Sequence, residues 1–226
     1  MTKMTTILLG TVAALAIAGT ASAGVTLTHH GKAPGFHHAP VNRANTVLYD
    51  QNNNDDGIGI VSQNFESSFD QYDAQAADDF TVPGGAKWKV KEVDVTGVYF
   101  NGSGPSRDEN VTFYTNKHGH PGDVVATYTV AGADSFGSYV IDLGKGTTLK
   151  GGKKGKTYWV SVQANLDFFA GGEWGWENRT GNNGAPAQWQ NPGGGFGTGC
   201  DTWGDENVCI PDGQGDHMFT LRGKAS

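Results

Sequence analysis

The 226-residue sequence has few charged residues, only two cysteines, and no later stretch apolar enough to cross a bilayer. Each shortage excludes something. Lysine and arginine number 16 against 23 acidic residues, a formal charge of −7 with no basic cluster. The densest positive run, residues 150–156, sets four lysines among glycines and reads as a solvated turn. Nucleic acid is therefore not an expected partner, because phosphate recognition needs a concentrated positive field. The signatures G-x-S-x-G, H-E-x-x-H and C-x-x-C are absent, and no segment carries the period of a long amphipathic helix.

What is abundant is glycine, with 35 residues, and tryptophan, with six. The glycines follow no period, which excludes a fibrous repeat. They cluster between short alternating apolar runs and so belong to turns. Roughly eight to ten such runs, with turns every ten residues or so, predict an all-β fold: a single β-sandwich with long glycine- and tryptophan-rich loops.

The N-terminus reads as an export signal over residues 1–23. Lys3 supplies the positive end, residues 7–18 form an apolar core too short to span a membrane, and Ala21-Ser22-Ala23 fits a cleavage site. The expected product is a secreted protein, extracellular or periplasmic, with no membrane span; its oligomeric state is left open. Residues 24–45 carry His29-His30 and His37-His38 between prolines and glycines. Without a cysteine or carboxylate to complete a metal site, this segment reads as a flexible histidine-rich tail, with a metal-capturing arm as the alternative. The sandwich domain is then 46–226. Cys200 and Cys209 are expected to pair in an oxidising compartment. They close a loop short enough to contribute about 2–3 kcal/mol in the chain-entropy description.

Along the chain, Thr46–Asp50, residues 76–82, 111–115, 124–131 and 136–143 read as strands. Residues 88–100 read as one long strand, with Val93, Val95, Gly97 and Tyr99 on a shared face. Residues 156–165 alternate cleanly, with Tyr158, Val160, Val162 and Ala164 opposite Trp159, Ser161, Gln163 and Asn165, and predict a half-buried strand. It feeds the segment that holds Trp174, Trp176, Trp189 and Trp203.

Several pieces resemble a family of bacterial exported proteins of uncharacterised function. They are Thr46-Val-Leu-Tyr-Asp50, Gln75-Ala-Ala-Asp-Asp-Phe-Thr-Val-Pro83, Val111-Thr-Phe-Tyr114, Thr157-Tyr-Trp-Val-Ser-Val162, Trp174-Gly-Trp176, Asn191-Pro-Gly-Gly-Gly195 and the stretch 216–223. The resemblance spans most of 46–223. It implies a secreted sandwich similar to jelly-roll domains and carries no catalytic residues.

Two candidate sites follow from residue chemistry. Indoles stack on the apolar face of a sugar while amides take its hydroxyls. Trp174, Trp176, Trp189 and Trp203, with Gln188, Gln190 and Asn178 beside them, are therefore a candidate platform for an extracellular polysaccharide; packing in the core is the alternative. Asn52, Asn54 and Asp56 recur at alternate positions before Gly57, like the opening of a calcium loop, and Asp78 must point inward with Phe80 and Val82. Calcium is thus the possible cofactor, against an Asx-rich turn for the first set and an ion pair to Arg107 or Arg222, or simple exposure at the strand edge, for Asp78. Glu173 and Glu177 share a strand face at about 13 Å, too far apart for either glycosidase geometry. The expected function is a non-enzymatic protein that binds an extracellular ligand, most plausibly carbohydrate. A structural or adhesive surface protein and a glycoside-active enzyme are the alternatives.

Overall fold

The structure is a computed structural model that describes residues 25–34, 45–213 and 215–226; the export signal and the His37-His38 pair lie outside them. The chain runs through β1 (Thr28–His30), β2 (Thr46–Asp50), β3 (Asp55–Val61), β4 (Gln63–Asn64), β5 (Gln75–Val82), β6 (Lys87–Val95), β7 (Gly97–Phe100), β8 (Asp108–Lys117) and β9 (His120–Val130). It continues through β10 (Ala133–Ser135), β11 (Ser138–Lys150), β12 (Lys156–Asn165), the helical turn α1 (Phe168–Gly171), β13 (Glu173–Arg179), β14 (Gln188–Gln190), β15 (Gly204–Asp205), the turn α2 (Glu206–Cys209), β16 (Asp216–His217) and β17 (Phe219–Ala225). The all-β sandwich expected from the alternation is the fold observed, antiparallel apart from a short parallel contact between β4 and β12.

Three sheets build it. One runs β15-β14-β5-β12-β8-β9, a second β10-β11-β6-β17-β2, and a third β1-β3-β13-β16 with β7 also on β13. Apolar alternation on β5, β8 and β12 turns Phe80, Phe113 and Tyr158 inward. They meet Trp88 of β6 and Phe219 of β17, and Phe80 stacks on Trp88 at 6.3 Å between ring centroids. Removal of that apolar area from water is the main driving force for the sandwich.

Residues 88–100 are not one strand. The chain leaves the second sheet after Val95 and enters the third at Gly97, while Met218 marks the return crossing. At the crease Thr96 N–H donates to Met218 O, Glu177 N–H donates to Thr96 O, and Met218 N–H donates to Glu177 O. The indole of Trp174 lies against the backbone of residue 97, where the chain enters the third sheet. A Cβ there would sit 2.5 Å from Trp174 Nε1, so only glycine fits. The third sheet then places Val98 and Phe100 in the core and turns Tyr99 partly outward.

Strand β12 is covered on both faces. The face carrying Tyr158, Val160, Val162 and Ala164 joins the main core. The opposite face is covered as well: Trp159 packs with Ala77 and Tyr114, and Ala185 and Trp203 close over them. The long segment after β13 folds back onto the outside of the sheet, so the half-buried strand of the sequence reading is a buried one. Thr28–His30, expected within the tail, instead pairs with β3, and His29 stacks on Phe100 at 5.3 Å.

Candidate functional site

The tryptophans do not form a platform. Trp174, Trp176 and Trp189 are 0% exposed. Each satisfies its indole N–H inside the protein: Trp174 donates to Gly137 O at 2.7 Å, Trp176 to Met218 O at 2.9 Å and Trp189 to Val61 O at 2.9 Å. Trp203 is half-buried and meets Tyr114 edge-on at 5.8 Å. The neighbouring amides are equally committed. Gln188 Nε2 donates to Asp205 Oδ1 at 2.7 Å, Gln190 Nε2 to Gln75 Oε1 at 2.9 Å and Asn178 Nδ2 to Glu206 Oε1 at 2.9 Å. A glycine-rich polar segment folded over a sheet can bury its aromatics as well as a strand does. That possibility overturns the platform assignment. The disulfide joins Cys200 to Cys209 with Cα atoms 5.8 Å apart and pins this segment beside Trp189.

The calcium residues read from sequence are also dispersed. Asn52 Oδ1 accepts from Thr96 Oγ1 at 2.6 Å, and Asn54 sits in a left-handed turn at φ 60°. Asp78 is fully buried without arginine. It accepts from Gln51 Nε2 at 2.8 Å and from the His217 and Asp79 amides at 2.6 and 2.7 Å. Arg222 instead holds Asp94 at 2.8 Å, and Arg107 holds Asp108 at 3.1 Å. Only Asp56 of that set joins an acidic cluster, with Asp55 and Glu177. Glu173 turns away from it and accepts from Thr26 N–H at 2.8 Å and Asn101 Nδ2 at 2.6 Å.

Beside Asp78 lies a buried imidazole–carboxylate contact that the sequence did not disclose. His217 Nε2 stands 2.8 Å from Glu206 Oε2, both side chains sealed from solvent, though out of line for a hydrogen bond. Trp176 stacks on the imidazole at 4.5 Å.

Open surface suited to a ligand is found at one end of the sandwich, around the loop 101–107. The loop is fastened on both sides. Gly104 N–H donates to Gly171 O at 2.8 Å, Arg107 N–H to Asn165 O at 3.0 Å and Ser106 N–H to Tyr99 Oη at 2.9 Å. On one flank is a groove of about 320 Å³ lined by Pro105, Ser106, Arg107, Asn165, Leu166, Asp167 and Ala170. Arg107 is 70% exposed and spends only its Nε on Asp108. Asp167 begins α1 without a side-chain capping bond, and Phe169 on the same turn is 81% exposed. On the other flank is a hollow of about 200 Å³ lined by Pro34, Val98, Tyr99, Gly102, Ser103 and Phe136. Phe136 and Gly137 form the two-residue turn between β10 and β11, with φ of 55° and 95°. Such a turn favours asparagine at its first position. Phenylalanine there is strained, and its ring is 73% exposed.

No family model and no curated protein matches this chain. A solved structure resembles it at 15% identity and a TM-score of 0.44: the cysteine protease and lectin-like domains of Cwp84, a surface layer associated protein of Clostridium difficile. The likeness covers 68% of this chain and 32% of that one, so the chain spans about a third of the solved chain's length. Among the described residues no helix is long and apolar enough to cross a membrane.

The resolved carboxylate shifts all run upward, chiefly because burial disfavours the charge. Asp73 and Asp79 are pushed up from 3.8 to about 6 and Glu173 from 4.5 to about 7. The folded state therefore holds protons that the unfolded chain has released, and stability falls as pH rises through this window. Melting temperature in buffer free of divalent cations is expected to be higher at pH 5 than at pH 8. A melting temperature that climbs over that range would contradict these assignments.

Proposed function

We propose that this chain is an exported carbohydrate-binding protein whose ligand surface is the loop end around residues 101–107. The observation that carries the reading is the gathering of exposed Phe136 and of Arg107 and Asp167 about one anchored loop, with exposed Phe169 on the helical turn that follows Asp167. A sugar presents apolar C–H faces and a rim of hydroxyls. Phe136 and Phe169 supply flat apolar surface for the first. Arg107 offers donors and Asp167 acceptors for the second, and neither is consumed by the fold. The groove's 320 Å³ lies within the usual size of a small-ligand site. Loops at the end of a rigid sandwich are also where recognition is commonly built.

A structural or adhesive role is the second reading, and strand β9 favours it. At 11 residues it is a long edge strand, with Val124 and Val125 exposed. Its pairing with β8 is interrupted by two register shifts, and Pro121 stands within it. Both features blunt the edge as a template for strand addition, so the reading rests on the exposed valines and not on the free edge.

The test is retention on soluble and insoluble polysaccharides, with the double variant Arg107→Ala, Phe169→Ala and the single variant Phe136→Asn. Both are expected to lose binding; the two alanine changes should move folding stability by no more than about 0.5 kcal/mol each, while Phe136→Asn should raise it by relieving the strained turn. Binding that survives in both variants would contradict the reading. Concentration-dependent self-association without any retention would favour β9.

A further inference from the structure

Strand neighbours normally point to opposite faces, so the adjacent Asp55 and Asp56 should not converge on one partner. Here they do. β3 and β13 pair with a register shift between Glu177 and Arg179, and Gly57 takes φ 79° directly after the two aspartates. The pleat is broken at that point, and one carboxylate oxygen from each of Asp55, Asp56 and Glu177 lies within 4.8 Å of the others.

Glu177 is the unusual member. It is 0% exposed, and neither of its carboxylate oxygens has a hydrogen-bond partner. The Ala33 N–H faces the carboxylate without closing a bond. The aspartates are each half committed: Asp55 Oδ1 accepts from Gly57 N–H at 2.7 Å, and Asp56 Oδ1 from Ile58 N–H at 2.9 Å. Among the described residues no lysine or arginine forms an ion pair with any of the three. His217 acts on Asp56 only at longer range, opposed by Glu206. A sealed carboxylate against two others, with only the Ala33 N–H turned toward it and no cation among the described residues, must either hold a proton or meet a bound cation.

We propose that Asp55, Asp56 and Glu177 form a binding site for a hard divalent cation of the calcium class. The donor set is oxygen only, which excludes the softer metals that prefer sulfur and imidazole. Calcium–oxygen distances of about 2.3–2.6 Å place opposite ligands about 5 Å apart, the span over which these oxygens already converge. Two aspartates half exposed to solvent leave room for water in the remaining positions, and calcium tolerates such irregular shells better than magnesium does. Bound there, the cation ties β3 to β13 beneath residues 31–33, next to where β1 pairs with β3. The site is separate from the groove at Arg107 and stands or falls independently of glycan binding.

The test takes the purified protein stripped with chelator and titrates calcium, magnesium and manganese in turn. Heat of binding and melting temperature are followed together. Calcium is expected to bind and to raise the melting temperature further as its concentration grows, because it binds only the folded state. Glu177→Gln keeps the shape and removes a charge. It is expected to abolish both the binding heat and the calcium-induced rise, while melting in chelator at or above the wild-type temperature because the repulsion is gone. Absence of heat and of any melting shift with all three cations would overturn the proposal. So would calcium binding undiminished in Glu177→Gln, which would place the ion elsewhere.

Discussion

Trp189→Ala is expected to destabilise the protein by about 3–5 kcal/mol, the range for truncating a buried tryptophan. The indole is sealed from solvent, donates to Val61 O, and meets Phe196 edge-on at 5.9 Å. Truncation leaves a cavity next to the disulfide and an unpaired carbonyl on β3. Both effects act on the contact between the segment after β13 and the sheet beneath it. Denaturant unfolding of the variant reads the loss directly. A loss below about 1 kcal/mol would return the indole to the surface and reopen its use as a sugar platform, since exposed truncations cost that little.

The second large effect is expected at His217 and Glu206. Removing one partner of a sealed imidazole–carboxylate contact leaves the other buried without it, which costs about 1–3 kcal/mol and more for a charged group. Glu206→Ala should reach this range, because it also removes the nearer of two partners of Asn178 Nδ2, leaving His217 Nδ1 at 3.3 Å, in a site with no access to water. His217→Ala loses the stacking on Trp176 as well. The two changes share one contact, so the double variant should cost clearly less than the sum of the singles. Simple additivity in unfolding measurements would show that the 2.8 Å approach contributes nothing.

Much of the fold was legible because strand alternation reports which residues share a face. β5, β8 and β12 follow from that period, and the cysteine pair follows from compartment and spacing. Alternation does not report whether the second face is covered. On β12, Trp159 and Ser161 looked solvent-facing until the segment after β13 folded across them. The same blindness misplaced the candidate site. Trp174, Trp176 and Trp189 lie in polar, glycine-rich sequence, yet their burial depends on contacts with Gly137, Met218 and Val61, distant in the chain.

Other features depend on register. Residues 88–100 read as one strand because the crossing at Thr96 is held by bonds to Met218 and Glu177, distant in the chain. Asp56 was identifiable as an oxygen donor, but its partner Glu177 arrives through a bulge that no local pattern announces. Thr28–His30 is too short to carry a strand signal and is held by pairing with β3 and by the stacking of His29 on Phe100. The groove residues Arg107 and Asp167 are ordinary surface residues in sequence. Phe136 and Gly137, read as the start of a strand over 136–143, are instead the turn into β11.

The central claim is that the loop end, and not the tryptophan segment, meets the ligand. Amide hydrogen exchange with and without a retained oligosaccharide tests it most directly. Protection is expected in residues 101–107 and 165–171 and at the turn 134–138, with no change in residues 186–205. Protection confined to 186–205, around Trp189 and Trp203, would contradict the account.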